Sequence, residues 1–64
     1  MDIQQIIKEI RSAGYTQDEV AKAVGLTQGT VSAIERGAVK RTFAIVAILR
    51  LHKKALRKLG KVVS

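Results

Sequence analysis

The sequence predicts an all-α fold, and three observations carry the prediction. Four of the five glycines stand where a helical pattern of apolar residues stops, and the chain contains no proline. No stretch of useful length alternates between apolar and polar residues with the period of two that strands show. We therefore expect a compact four- to five-helix bundle made from a single domain, residues 1–64.

Composition limits the classes of site that the chain can form. It has no cysteine and one histidine, so we expect no disulfide, no thiolate metal site and no other cofactor. Asp2 is not the basic start of a signal peptide. The longest uncharged apolar run, 42–49, is far shorter than the roughly 20 residues of a membrane span. These features favour a soluble, cytoplasmic protein.

Charge is the strongest global signal. The net charge is +7, and all five acidic residues precede residue 36, whereas residues 36–64 carry nine basic residues and no acid. This asymmetry indicates an anionic partner, either nucleic acid or an anionic membrane surface. A solubilising face is the alternative interpretation.

Helix 1 is predicted from Asp2 to Ala13. Its four isoleucines follow the spacing i, i+3, i+4, i+7 and therefore share one face. Asp2 is the predicted N-cap, Gly14 ends the helix, and Tyr15 is expected to pack back on the core.

Helix 2 is predicted to begin after Thr16. Thr16 and Glu19 have the spacing of a capping box, in which each side chain bonds the other residue's backbone N–H. Three residues face inward, namely Val20, Ala21 and Val24. Gly25 ends the helix in a tight turn, and Leu26 fills that turn as an apolar plug.

Helix 3 is predicted over residues 27–36, with Thr27 as N-cap and Gly37 as terminator. Val31 and Ile34 face inward. The exposed side is small and polar and comprises Gln28, Gly29, Ser32, Ala33 and Arg36, with Thr30 at its edge. Glutamine and serine both donate and accept hydrogen bonds, as contact with base edges requires.

Helix 4 is predicted from Phe43 to Leu59, with Thr42 as a candidate cap. Its first two turns are apolar all round, which predicts that they belong to the core; these residues are Phe43, Ala44, Val46 and Ala47. An apolar stripe in 43–59 predicts a dimer interface, here called the dimer stripe and made of Ile45, Leu49, His52, Leu56 and Leu59. The opposite face is basic and is either solvated or in contact with DNA phosphates, lipid or an acidic partner; it comprises Arg50, Lys53, Lys54, Arg57, Lys58 and Lys61.

Two short helices joined by a tight glycine turn form a helix-turn-helix, whose second helix presents short side chains to the DNA major groove. Gln28 can bond adenine N6 and N7 in a bidentate way. Thr27, with the N–H groups of the helix start, can bind phosphate, and Thr30 is predicted to do the same from the edge. Lys40 and Arg41 follow the motif where the DNA backbone would pass.

Residues 16–41 resemble the lambdoid phage repressor and Cro family of helix-turn-helix proteins. The matching residues are Thr16, Gln17, Glu19, Ala21, Val24, Gly25, Thr27, Gln28, Val31, Glu35, Gly37, Lys40 and Arg41. The resemblance implies a lambda-repressor-like DNA-binding domain that regulates transcription. Such a domain binds a near-palindromic operator in double-stranded DNA as a homodimer, with helix 3 in the major groove.

The resemblance also implies residue roles. Base contacts would come from Gln28, Gly29, Ser32 and Ala33. Phosphate contacts would come from Gln17, Arg36, Lys40 and Arg41, with Gln17 also buttressing Gln28.

The chain departs from the family pattern in four places. Gly29 replaces a side chain that usually contacts a base, and Ala33 offers only a methyl group. Relatives often pair a helix 1 arginine with the glutamate that matches Glu35; that position is Ile10 here, which leaves Arg11 as the candidate substitute. Relatives also break after a short helix 4 and add a fifth helix, but no helix breaker occurs here.

Two other functions stay open. One is an antitoxin-type or accessory protein whose basic C-terminal helix binds a protein partner. The other is a basic amphipathic module on a membrane surface, against which the two threonine caps argue. No catalytic arrangement is present in the motif, so we expect neither an enzyme nor a small-molecule effector site.

Overall fold

The computed structural model describes residues 2–60, which form four α-helices and no strand. The helices are α1 (Ile3–Ser12), α2 (Gln17–Val24), α3 (Gln28–Glu35) and α4 (Ile45–Lys58). The all-α prediction is therefore confirmed, with four helices in the described part of the chain. Lys61, assigned above to the basic face, lies outside the described residues. None of the helices within 2–60 has the length and apolar character needed to cross a membrane.

The ends of α1 follow from local hydrogen bonding. The Asp2 side chain accepts a hydrogen bond from the Gln4 backbone N–H at 3.0 Å, which confirms the predicted N-cap. All four isoleucines of this helix are buried. Tyr15 packs partly buried against the core, and the Lys58 ammonium lies 4.9 Å from the centre of its ring. This cation–π contact joins the end of α4 to the start of the helix-turn-helix.

The predicted capping box at the start of α2 is present. The Thr16 hydroxyl accepts from the Glu19 N–H at 3.1 Å, and Glu19 Oε1 accepts from the Thr16 N–H at 2.8 Å. The backbone hydrogen bond from Thr16, followed by the bond to its side chain, holds the pKa of Glu19 below its ordinary value of 4.5. The capping box thus favours the ionised form of this carboxylate.

The capping box should contribute a pH-dependent part of the stability, and replacing Glu19 with glutamine should remove it. A lowered folded-state pKa contributes stability that is complete above 4.5 and is lost as pH falls through the lower folded value. The wild type should therefore exceed Glu19→Gln in free energy of unfolding at neutral pH, and the gap should close on acidification. Urea denaturation of both proteins over a pH series measures it. A gap that stays constant with pH would contradict the role of the charge.

One apolar core lies between the helices. α1 packs chiefly against α4 and α3, while α2 packs against α3 and α4. The largest side chains that are almost wholly inaccessible to solvent are Ile7, Ile10, Val20, Val31, Ile34 and Ile48. Two of these belong to α3, so the core fixes the inner face of that helix and leaves its outer face to solvent.

The start of helix 4 differs from the sequence prediction. The helix begins at Ile45 rather than Phe43, and the Thr42 hydroxyl accepts from the Ala44 N–H at 3.1 Å, so Thr42 caps the preceding turn. Ala44 is buried, as predicted, but Phe43 is 91 % exposed and Val46 58 % exposed. Their predicted burial is wrong. The inward face of α4 carries Ile48, Leu51 and Ala55, which are spaced three to four positions apart, and helical spacing turns Val46 away from that face.

Candidate nucleic-acid interface

The two helices of the motif meet at a left-handed glycine. Gly25 has φ +78°, and the Leu26 N–H donates to the Ala21 carbonyl at 2.9 Å, which satisfies a carbonyl at the end of α2 and ends that helix. Leu26 packs partly buried against the core, as predicted. The turn therefore sets the orientation of α3 relative to α2.

Two threonines shape the start of α3. The Thr27 hydroxyl accepts from the Thr30 N–H at 3.2 Å and lies 2.9 Å from the Thr30 hydroxyl. Thr27 is thus the N-cap that the sequence predicts. Both hydroxyls lie at the positive end of the helix, where an approaching phosphate oxygen is favoured.

The outer face of α3 gathers the four residues predicted to contact bases. Gln28 and Gly29 are exposed, while Ser32 and Ala33 are half-buried against neighbouring parts of the chain. Val31 and Ile34 lie beneath them, with no exposed surface. The core therefore supports the predicted face from behind. Contact of this face with DNA stays a prediction.

A network of four side chains runs from α1 to the outer face of α3, and we call it the Glu35 network. Arg11 Nη1 donates to Glu35 Oε1 at 2.6 Å, and Gln17 Nε2 donates to the same oxygen at 3.1 Å. Gln28 Nε2 then donates to Gln17 Oε1 at 2.5 Å. The chain thus makes the contact between the two glutamines that the family resemblance implies. Arg11 does substitute for the arginine missing at Ile10.

The network leaves Gln28 equipped to contact a base. A glutamine amide carries two N–H donors and one acceptor oxygen, and Gln17 takes only one of the donors. The remaining N–H and the oxygen match adenine N7 and N6–H₂. Because Glu35 fixes Gln17, and Gln17 fixes Gln28, little side-chain entropy remains to be lost on binding DNA.

Two contacts at the far end of α3 are not among those predicted from the sequence. Arg36 Nη1 donates to the Ser32 hydroxyl at 2.7 Å, so the serine proton is free to point outward to an acceptor. Gln4 Nε2 donates to the Glu35 carbonyl at 3.0 Å and supports the helix end from α1. The spacing i, i+4 of Ser32 and Arg36 indicates the first contact. The second joins residues 31 positions apart.

The segment after α3 carries the predicted phosphate contacts Lys40 and Arg41, which are both exposed. The N–H groups of Ala38 and Val39 donate to the Ala33 carbonyl at 2.9 and 3.2 Å and hold the segment against the end of α3. The two cations therefore follow the end of α3 and lie near the start of α1, where both border a cleft with Ile3.

Gly29 lies in open space on the outer face. Nothing lies within 4 Å of a β-carbon built there, and its backbone is not left-handed. Gly29→Ala should therefore raise the free energy of unfolding by up to about 1 kcal/mol, because alanine favours the helix. Urea denaturation measures it, and a lower stability would contradict it. A simultaneous fall in DNA affinity would indicate that the groove approaches the glycine backbone closely.

The dimer stripe borders α1. Ile45 and Leu49 are partly buried against the core, and Leu56 is half-buried. His52 Nε2 lies 2.6 Å from Glu9 Oε1 of α1, and Leu59 is 38 % exposed. Part of the stripe is thus covered within the chain, and its role in dimerisation stays a prediction. No group of His, Cys, Asp or Glu residues in 2–60 has the arrangement of a metal site.

Comparison with known proteins agrees with this geometry. A family model described as helix-turn-helix matches residues 6–59, which span the four helices except for the first turn of α1. No curated protein and no solved structure matches the chain.

Proposed function

Because this chain belongs to the helix-turn-helix family of DNA-binding domains, we propose that it is a sequence-specific transcription regulator of the lambdoid repressor and Cro type. In this proposal α3 enters the major groove of an operator. Gln28 and Ser32 contact base edges, Gly29 and Ala33 let the helix lie close to them, and Ala33 offers its methyl group to a thymine methyl.

The Glu35 network is the observation that carries the proposal. Holding an exposed glutamine in one position costs side-chain entropy, which the net gain from a single hydrogen bond in water only partly offsets. Here Gln28 is held by Gln17, which is held in turn by a half-buried ion pair between Arg11 and Glu35. Such pre-organisation is what recognition of one base pair requires.

The charge distribution supports DNA as the partner. Residues 36–64 carry nine bases and no acid, and two of these bases, Lys40 and Arg41, follow α3 along the chain. We assign phosphate contacts to these two residues, to Arg36 and Gln17, and to the threonines that begin α3. Phosphate contacts fix the register of a domain on DNA but carry no sequence information directly.

We further propose that the regulator acts as a homodimer through α4. The dimer stripe offers Leu56 and Leu59 beside partly buried neighbours, and a two-fold interface would set two copies of α3 about 34–36 Å apart, one turn of DNA. We expect sedimentation at tens of micromolar to report a dimer, alone or on operator DNA. A strict monomer under both conditions would contradict the dimer while leaving DNA binding untouched.

Selection of bound sequences from a random DNA pool tests the function itself. We expect enrichment of a near-palindromic site whose half-sites lie one helical turn apart. Anionic vesicles serve as the parallel probe. Vesicle binding with no enriched DNA sequence would replace the proposal with the membrane-surface alternative.

A further inference from the structure

The exposed side of α4 bears an apolar groove that the proposed function does not use, and we call it the Phe43 groove. It is an open groove of about 470 Å³ between the end of α2 and the start of α4. Its lining includes Ala23, Phe43, Val46, Ala47, Arg50 and Lys54. No residue of the dimer stripe lines it, and none that the proposed function assigns to a base or a phosphate, whereas Arg50 and Lys54 belong to the basic face defined above.

The groove is lined by large apolar side chains that folding leaves exposed to solvent. Phe43 is 91 % exposed and Val46 58 % exposed, and both border the same groove. Single apolar residues on a surface are ordinary, but a large aromatic side chain beside a small-residue cleft indicates contact with another molecule. Ala23 and Ala47 leave room there for an incoming side chain.

The charge of the rim decides the class of partner. Arg50 and Lys54 stand one helical turn apart on the edge of the groove, and neither makes an ion pair in the described part of the chain. No acid occurs after residue 35. A second copy of this chain would bring the same cations face to face, whereas carboxylates would complement them.

We infer that the Phe43 groove docks an acidic amphipathic helix of a partner protein. The apolar face of that helix lies against Phe43 and Val46, and one apolar side chain enters the space above the two alanines. Its flanking carboxylates pair with Arg50 and Lys54. This is the helix-in-groove mode, in which anchors at i, i+3 and i+4 supply affinity and the rim supplies orientation.

The probe is a synthetic helical peptide of about 18 residues, long enough to populate a helix in isolation, with leucines at the anchor spacing and glutamates elsewhere. Fluorescence anisotropy measures its affinity for the full chain. We expect Phe43→Ser to weaken binding at least tenfold, as loss of an aromatic anchor does. Phe43 is exposed, so this variant should fold and should keep the DNA affinity of the wild type.

Two neighbouring lysines provide a matched control for charge. Lys54 lines the groove and Lys53 does not, although both are exposed on α4. Lys54→Ala should weaken peptide binding about two- to fivefold, as the loss of one rim ion pair does, while Lys53→Ala should leave it nearly unchanged. A peptide with lysine in place of every glutamate should not bind.

Three results would overturn the inference. The first is equal peptide affinity for wild type and Phe43→Ser, since binding would then be diffuse charge attraction. The second is a dimer that Phe43→Ser converts to monomer, which would assign the groove to a second copy. The third is phosphatidylserine vesicle binding that requires Phe43 in the absence of peptide binding, which would assign it to a membrane.

Discussion

Replacing Ile34 with alanine is expected to lower the free energy of unfolding by about 2–5 kcal/mol, the range observed when a large aliphatic side chain is cut back in a core. Ile34 has no exposed surface and lies beneath the outer face of α3. A single core in a chain this short supplies only about 3–5 kcal/mol in all. The variant should therefore be largely unfolded at room temperature and should lose DNA binding with its fold.

Circular dichroism during urea denaturation measures the loss of stability. Two further variants provide comparisons for its size. Ile34→Val removes one methyl group and should cost about 0.5–1.5 kcal/mol, leaving a folded protein. Val46→Ala makes an apolar cut at an exposed position and should stay within about 0.5 kcal/mol of the wild type. Similar losses for Ile34→Ala and Val46→Ala would show that the core is not where the structure has it.

Most of the fold is predictable because its signals are local. The caps at Asp2, Thr16 and Thr27 and the left-handed turns at Gly25 and Gly37 each depend on a few consecutive residues. Local signals do not decide which residues at the start of α4 are buried. Phe43 and Val46 have the apolar character of core residues, but the packing of α4 on α1 and α2 decides which of its faces is covered.

The candidate site also has parts that the sequence predicts and parts that it does not. The recognition face follows from helical spacing, and the family resemblance implies the contact between Gln17 and Gln28. The ion pair of Arg11 and Glu35 is anticipated only as a substitution, because the two residues are 24 positions apart. The contacts of Gln4 with Glu35 and of His52 with Glu9 span 31 and 43 positions, and their residue types alone do not indicate them.

Gln28→Ala should separate recognition of bases from general attraction to DNA. Loss of a bidentate contact to one base should weaken binding to the selected site by about 1–3 kcal/mol, whereas binding to random DNA should change little. Arg41→Ala removes a cation that is assigned to phosphate. It should weaken binding to both DNAs and reduce the slope of log affinity against log salt by about one.

Binding titrations over a salt series, on the selected site and on random DNA, measure both effects. Gln5→Ala and Lys8→Ala are matched controls, since they remove an exposed glutamine and an exposed cation from α1. Equal losses for Gln28→Ala and Arg41→Ala on both DNAs would argue against the assigned roles.

The Glu35 network predicts that the effects of substituting Gln17 and Gln28 on DNA affinity depend on each other. Gln17→Ala should lower the affinity for the selected site even if Gln17 contacts no base, because it releases Gln28 from its held position. In the double variant Gln17→Ala/Gln28→Ala, this part of the loss should disappear, since no side chain remains to be held. The two losses should therefore be less than additive on the selected site. Full additivity would mean that Gln17 acts on phosphate alone, and that the network stabilises the fold without preparing Gln28 for a base.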